Sequence, residues 1–249
     1  MNDILAAAWA ALGFSPPAPV AAPAPVVVAP VVIPAAPAAS NAIRQVLAAV
    51  APHLPADMAR QWADALADPM RAAGIVTPRR IAGFLGQVAE ECGGFSVMVE
   101  NLNYTTAARL CQVWPSRFPT LEAAAPFVSQ PERLADLIYS GRMGNGDAAS
   151  GDGWRFRGCG PIEITGRGLH TRFAQSCGKS LDDSLAWMRT LPGAAASECW
   201  YWSLPDHRPP LNQLADTWDI LNLTRSINGG LTGITERRAL CAAALKAIT

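Results

Sequence analysis

Between Asp3 and Arg44 the chain carries no charged residue, and this gap limits where a folded core can begin. Residues 1–40 contain 14 Ala, 8 Pro and 6 Val, so three residue types fill 28 positions. By hydropathy alone, residues 18–39 resemble a membrane span. Pro19, Pro23, Pro25, Pro30, Pro34 and Pro37 interrupt it, and each removes a backbone donor and blocks a continuous helix. The pattern predicts a disordered, extended linker of polyproline type within residues 1–40. Ahead of it, residues 3–14 (DILAAAWAALGF) can form a short apolar helix, either a docking element for a membrane or partner or a passive tail. The basic residues that open a secretory signal are missing there, so no export signal is evident.

The other 209 residues hold all 20 basic side chains and 19 of the 20 acidic ones. A formal charge of +1 does not fit a general nucleic-acid binder, which needs a basic excess. A domain of this size can bury a substantial core. The cysteines at 92, 111, 159, 177, 199 and 241 form no CxxC pair, and the three histidines do not cluster. Buried thiols are expected, with no zinc site, other metal or cofactor.

Hydrophobic spacing in this region is mostly helical. Ser40 or Asn41 can cap a helix bearing Ile43, Val46, Leu47 and Val50. A second helix follows Pro55 with Met58, Trp62 and Leu66 on one stripe, and Pro69 should kink or split it. Thr77-Pro78 reads as an N-cap and a first helical proline. The helix so opened carries Ile81, Phe84, Leu85 and Val88 and stops at Gly93-Gly94. Further helices are predicted at about 105–113, 121–128, 131–139, 181–190, 193–203, 211–224 and 235–247. Residues 140–153 read as a flexible glycine-rich loop, and WRFRG and PIEIT alternate like strands. The expected fold is mainly α (α+β): a helical domain at 41–249 with a small β element and a cleft.

Glu91 continues the apolar stripe of the third helix, seven residues after Phe84. A carboxyl desolvated there has a raised pKa, as a general acid requires. A helix-end glutamate paired with a buried arginine fits the spacing too. Glu100 lies nine residues further on, in the polar segment ENLNYT that also holds Tyr104. The glycine stop lets the chain turn back, so Glu100 can face Glu91 as the second carboxylate of a glycosidase pair. In PIEIT, Glu163 and Thr165 share one face, toward a cleft or simply toward solvent. Asn228 in SINGG presents its amide to a ligand or closes an Asx-turn. Arg237 is an inward ion-pair partner or a surface charge.

Three segments carry a resemblance: 87–104 (QVAEECGGFSVMVENLNY), 139–168 (YSGRMGNGDAASGDGWRFRGCGPIEITGRG) and 224–239 (TRSINGGLTGITERRA). Together they resemble family 19 glycoside hydrolases, most of all the compact, chitinase-like or lysozyme-like branch found in bacteriophage endolysins. The resemblance implies a lysozyme-like fold and an inverting mechanism, with Glu91 as general acid and Glu100 as general base. It implies that Thr165 helps to place the water, Asn228 contacts substrate and Arg237 supports the carboxylates. Tyr104 joins the substrate-positioning set, and Glu163 stands where the family usually has a glutamine. Two further departures are Glu90, where histidine is usual, and Cys159, where arginine is usual. Glu90 and Glu163 should push the pKa of Glu91 up further by like-charge repulsion.

The function so implied is an endolysin that cuts β-1,4 bonds of bacterial peptidoglycan. It would be a monomer made in the host cytoplasm and acting on the cell wall after release. A chitinase and a non-catalytic cell-wall-binding virion protein are the alternatives. A cysteine nucleophile at Cys92 or Cys159 with His170 is a weaker fourth.

Overall fold

The computed structural model describes residues 36–95 and 98–249. The apolar helix expected at residues 3–14, and the linker up to residue 35, lie outside the described residues. The fold is mainly helical, with thirteen α-helices among the described residues.

The centre is built by α1 (Ala36–Val50), α2 (Ala56–Ala72) and α3 (Pro78–Glu91). Their stripes bury Ile43, Val46, Leu47, Trp62, Leu66, Phe84, Leu85 and Val88 in one cluster. Thr77 caps α3 by accepting from the Arg80 amide, and Pro78 occupies its first turn. At the other end the chain reverses through Gly94, whose φ is +78° and whose Cβ, if present, would lie 2.3 Å from the His53 ring. Glycine is required at that point on both counts.

Two helix boundaries differ from expectation. Helix α1 begins at Ala36, before Ser40, because Pro37 falls in the first turn, where its missing amide costs nothing. Ser40 does not cap; its hydroxyl donates to Asp64 on α2 at 2.7 Å. Helix α2 runs through Pro69 without splitting, since only its last turn follows the proline.

A second apolar cluster lies under α4 (Ala107–Val113), α5 (Leu121–Ala124) and α6 (Pro131–Ile138). It buries Leu102, Leu110, Phe118, Leu134 and Ile138. A third forms from Cys159, Ile164, Phe173 and Met188. It packs against α8 (Arg167–Ser176), α9 (Leu181–Met188) and α10 (Leu191–Trp202), where Phe173 stacks on Trp187.

The expected β element does not form as strands. WRFRG begins inside the single helical turn α7 (Asp152–Arg155), and PIEIT is a tight turn. Among the described residues only the isolated bridges Val99–Cys159 and Cys159–Ile164 have strand character. The 211–224 helix is two: α11 (Leu211–Asp216) and α12 (Ile220–Asn228), separated where Trp218 takes φ +59°. Helix α8 was not expected from the spacing at all.

The glycine-rich loop is tied down at several points. Asp152, 2% exposed, accepts from the Gly146 amide at 2.9 Å and from Arg167 Nε at 2.8 Å. Asn145 donates to the Tyr139 carbonyl and accepts from the Arg167 amide.

The last helix, α13 (Ile234–Ile248), crosses α3 closely at Gly86. A Cβ on Gly86 would come within 2.8 Å of the Cys241 backbone. Gly86→Ala should therefore force the two helices apart and cost about 1–3 kcal/mol of stability, measurable by urea denaturation.

Candidate active site

Glu91 ends α3 next to a buried cation. Arg237, on the first turn of α13 and 3% exposed, donates from Nη2 to Glu91 Oε1 at 2.7 Å. Its Nη1 donates to Gln87 Oε1 at 2.8 Å, and its Nε to the Thr232 carbonyl at 3.2 Å. Gln87 in turn donates to the Thr224 hydroxyl on α12 at 3.0 Å. Gln87 and Thr224 are fully buried, so this polar chain is enclosed in protein and each of its links satisfies another. The buried arginine partner that the spacing allowed for Glu91 is present, as Arg237.

Asn228 is exposed at the end of α12, and its amide makes a long contact of 3.5 Å to the Thr232 carbonyl that Arg237 also uses. The loop 229–233 therefore joins Asn228 and Arg237 to one acceptor. Glu90 lies beside this loop: a Cβ on Gly233, at φ +68°, would come within 2.5 Å of Glu90 Oε1.

Glu100 is held from a different direction. Its Oε1 accepts from the Tyr139 hydroxyl at 2.7 Å, and its Oε2 from the Gly158 amide at 3.1 Å. The Glu100 amide donates back to the Gly158 carbonyl at 2.9 Å. Burial first, then the charge of Glu100 beside it, raises the pKa of Tyr139, so the phenol stays a donor. Tyr104 packs edge-on against Trp114, and burial with the nearby Glu100 raises its pKa too.

Glu163 stands beside Glu100. The space that a Cβ on Gly158 would occupy lies 3.1 Å from the Cβ atoms of both glutamates. Glu163 sits at φ +56° in the tight turn, with its side chain open to solvent, and Ile164 is buried behind it. Of the alternation read from PIEIT, the exposed Glu163 and buried Ile164 are kept, whereas Ile162 and Thr165 are both half-buried. Partial desolvation, then the like charges of Glu100 and Glu91, push the pKa of Glu163 up. Thr165 donates its hydroxyl to the Glu163 carbonyl at 2.7 Å.

The structure therefore brings Glu91, Glu100 and Glu163 within electrostatic reach, with Tyr104 and Thr165 beside them. Gln87, Thr224 and Tyr139 belong to the same networks but were missed, because buried polar side chains read as surface in sequence. Gln87 did carry a signal: it precedes Glu91 by four residues and so shares its helical face. Glu198, a fully buried carboxyl near these three, was missed for the same reason. The cysteine-nucleophile alternative loses its basis. Burial pushes the Cys92 thiol up to about 12 and raises the Cys159 thiol, so neither forms a ready thiolate. Among the described residues, no group of three or more His, Cys, Asp or Glu is placed to hold a metal ion.

No protein-family profile matches the chain. A glycosyl hydrolase family 19 domain-containing protein of Haemophilus influenzae is 37% identical over 174 residues, which span 70% of this chain and 82% of the relative. The chain belongs to glycosyl hydrolase family 19. Chitinase C from Streptomyces griseus has a similar fold, with a TM-score of 0.54 at 17% identity, over 83% of this chain and 92% of that one. A glutamate-to-glutamine mutant of chitinase C superposes with a TM-score of 0.53 at 17% identity, over 82% of this chain and 91% of that one. The family 19 protein described here is thus a glycoside hydrolase with a lysozyme-like, mainly helical fold.

Two outcomes follow from the geometry. Arg237→Ala leaves Gln87 and Glu91 without their partner and should cost about 3 kcal/mol, read from denaturant midpoints. Glu163 is a carboxyl with a raised folded pKa. Its protonated form therefore favours the native state below the ordinary value of 4.5, and that contribution is lost as pH rises through the folded pKa. Glu163→Gln abolishes the loss, so its melting temperature should gain on the parent's as pH increases above 4.5. A constant difference across the range would contradict the raised pKa of Glu163.

Proposed function

We propose that this glycoside hydrolase cleaves β-1,4 bonds in the glycan strands of bacterial peptidoglycan, by inversion, as an endolysin. The observation that carries the mechanism is the separate anchoring of two carboxylates. Among the described residues the hydrogen bond from Arg237 falls on Glu91 Oε1, and Oε2 is assigned to hand a proton to the leaving glycosidic oxygen. Glu91 is the general acid in this reading. Glu100 accepts hydrogen bonds on both oxygens, an arrangement suited to an ionised carboxylate. Each oxygen keeps a second lone pair, so Glu100 can take a proton from the attacking water as general base. Inverting enzymes place the two carboxyls roughly 6.5–9.5 Å apart to admit that water.

Thr165 and Glu163 are assigned to the water and the sugar ring, Asn228 and Tyr104 to substrate positioning, and Arg237 to orienting Glu91. Support for peptidoglycan comes from the compact ENLNY arrangement. Chitin is the second reading, favoured by the likeness to chitinase C, because both glycans contain β-1,4-linked N-acetylglucosamine. Action at the cell wall after release from the host cytoplasm, with residues 1–40 serving delivery or docking, belongs to the same proposal.

Purified protein should release new reducing ends from peptidoglycan, and NMR should find the product anomer inverted. Glu91→Gln and Glu100→Gln should each lower kcat by about a hundredfold or more. Activity on chitin oligomers without activity on cell walls would select the second reading. Sugar binding with no cleavage by the parent protein would overturn both.

A further inference from the structure

The turn from Cys159 to Thr165 is held from behind by a carboxyl that the proposed mechanism does not use. Glu198 lies on α10 and is fully buried. Its Oε2 accepts from the Ile162 amide at 2.9 Å. Its Oε1 has no hydrogen-bond partner among the described residues. That oxygen faces Gly160, where an added Cβ would lie within 2.5 Å of it.

The amide that Glu198 holds sits between the two left-handed residues of the turn, Gly160 at φ +77° and Glu163 at φ +56°. A non-glycine residue in that region needs its surroundings to keep it there. The turn's own bonds are the Glu163 amide to the Gly160 carbonyl, the pair between Cys159 and Ile164, and the Thr165 hydroxyl to the Glu163 carbonyl, and the Gly160 amide donates outward to the Met98 carbonyl. Glu198 adds the contact from the core side, and glycine at 160 makes room for it.

Burial first, then the charge of Glu91, drives the pKa of Glu198 well above the ordinary carboxyl range. The other ionisable groups that feel it are Cys92, Cys159, Cys199 and Tyr201, and their own pKa values are raised as well. A neutral acid fits this setting: its carbonyl oxygen accepts from Ile162, and the other oxygen keeps the proton. Burying an ionised carboxylate with one bond would be far more costly.

We infer that Glu198 is a positioning residue. It fixes the Gly160–Glu163 turn from the core side and so sets where Glu163 and Thr165 stand relative to Glu91 and Glu100. The inference rests on the glycosidase reading, and a separate measurement tests the contact itself.

Glu198→Gln keeps the length and the acceptor, whereas Glu198→Ala removes both. In the full chain, hydrogen exchange at the Ile162 amide should stay slow in Glu198→Gln and accelerate about tenfold or more in Glu198→Ala. On soluble N-acetylglucosamine oligomers or peptidoglycan fragments, Glu198→Gln should keep kcat within about twofold. Glu198→Ala should lose about tenfold or more in kcat with KM nearly unchanged. Thr165→Ala should cost less in the Glu198→Ala background than alone, because the hydroxyl is already misplaced.

If Glu198→Ala does not fold, Glu198→Asp carries the same expectation, since it keeps a carboxyl but withdraws it from Ile162. Unchanged exchange at Ile162 in either shortened variant would overturn the inference. So would equal loss of kcat in Glu198→Gln and Glu198→Ala, or full additivity with Thr165→Ala. A parent protein that cleaves no glycan would sink the glycosidase reading instead, and the exchange comparison would still decide whether Glu198 holds the turn.

Discussion

The buried guanidinium of Arg237 is the interaction on which the site depends. It comes from α13, reaches α3 at Gln87 and Glu91, and holds the 229–233 loop through the Thr232 carbonyl. Through Gln87 it is tied to α12 at Thr224. A cation 3% exposed is tolerable only when its donors are used, and here all three nitrogens have acceptors. The close crossing of α3 and α13 at Gly86 supplies the geometry, and the arginine turns that packing into an oriented carboxylate. Fold and chemistry meet at this one side chain.

Glu100 is anchored by another logic. Glu100 lies in a segment without regular structure, where long-range hydrogen bonds must replace helical ones. Tyr139, at the end of α6, supplies one donor and Gly158 the other. The Tyr139 carbonyl also accepts from Asn145, and Asn145 accepts from the Arg167 amide. The glycine-rich loop is therefore part of the frame behind Glu100, through the buried Asn145 and Asp152. Asp152 and Arg167 close the frame with a pair in which the carboxylate is buried and the guanidinium half-exposed.

Much of this was legible in sequence, and what was not has physical causes. The stripes of α1 to α3 were readable because each buries one face in a common core, and the Thr77-Pro78 start and the glycine stop mark α3 by local chemistry. Helix α8 escaped notice because RGLHTRFAQS has few apolar residues, and His170 is buried in place of one. PIEIT read as a strand because five alternating residues look alike in a strand and in a turn whose second isoleucine turns inward. Nothing in the sequence marks Glu163 as left-handed. The carboxylate pair was visible as spacing, but its supports were not. Gln87, Thr224, Tyr139 and Glu198 act through partners far away in the chain, and no local pattern encodes a partner.

The departures from the family pattern sort themselves by whether a partner stands nearby. Glu91 has Arg237, and Glu100 has the tyrosine and a backbone amide. Glu163 has no ion pair or side-chain hydrogen bond among the described residues, and desolvation first, then the charges of Glu100 and Glu91, raise its pKa. A glutamine at 163 would carry no charge to repel. The substitution therefore adds a third carboxyl, with a raised pKa, next to both carboxylates assigned to the reaction. Cys159 has the opposite character. It is 3% exposed within the third apolar cluster and pairs on both sides, with Val99 and Ile164, where a long cationic side chain would have to leave the core. One departure makes the open face of the turn more acidic and the other makes its buried face more apolar. The turn can accommodate both because Gly158 and Gly160 leave space on its two sides, toward Glu100 and toward Glu198.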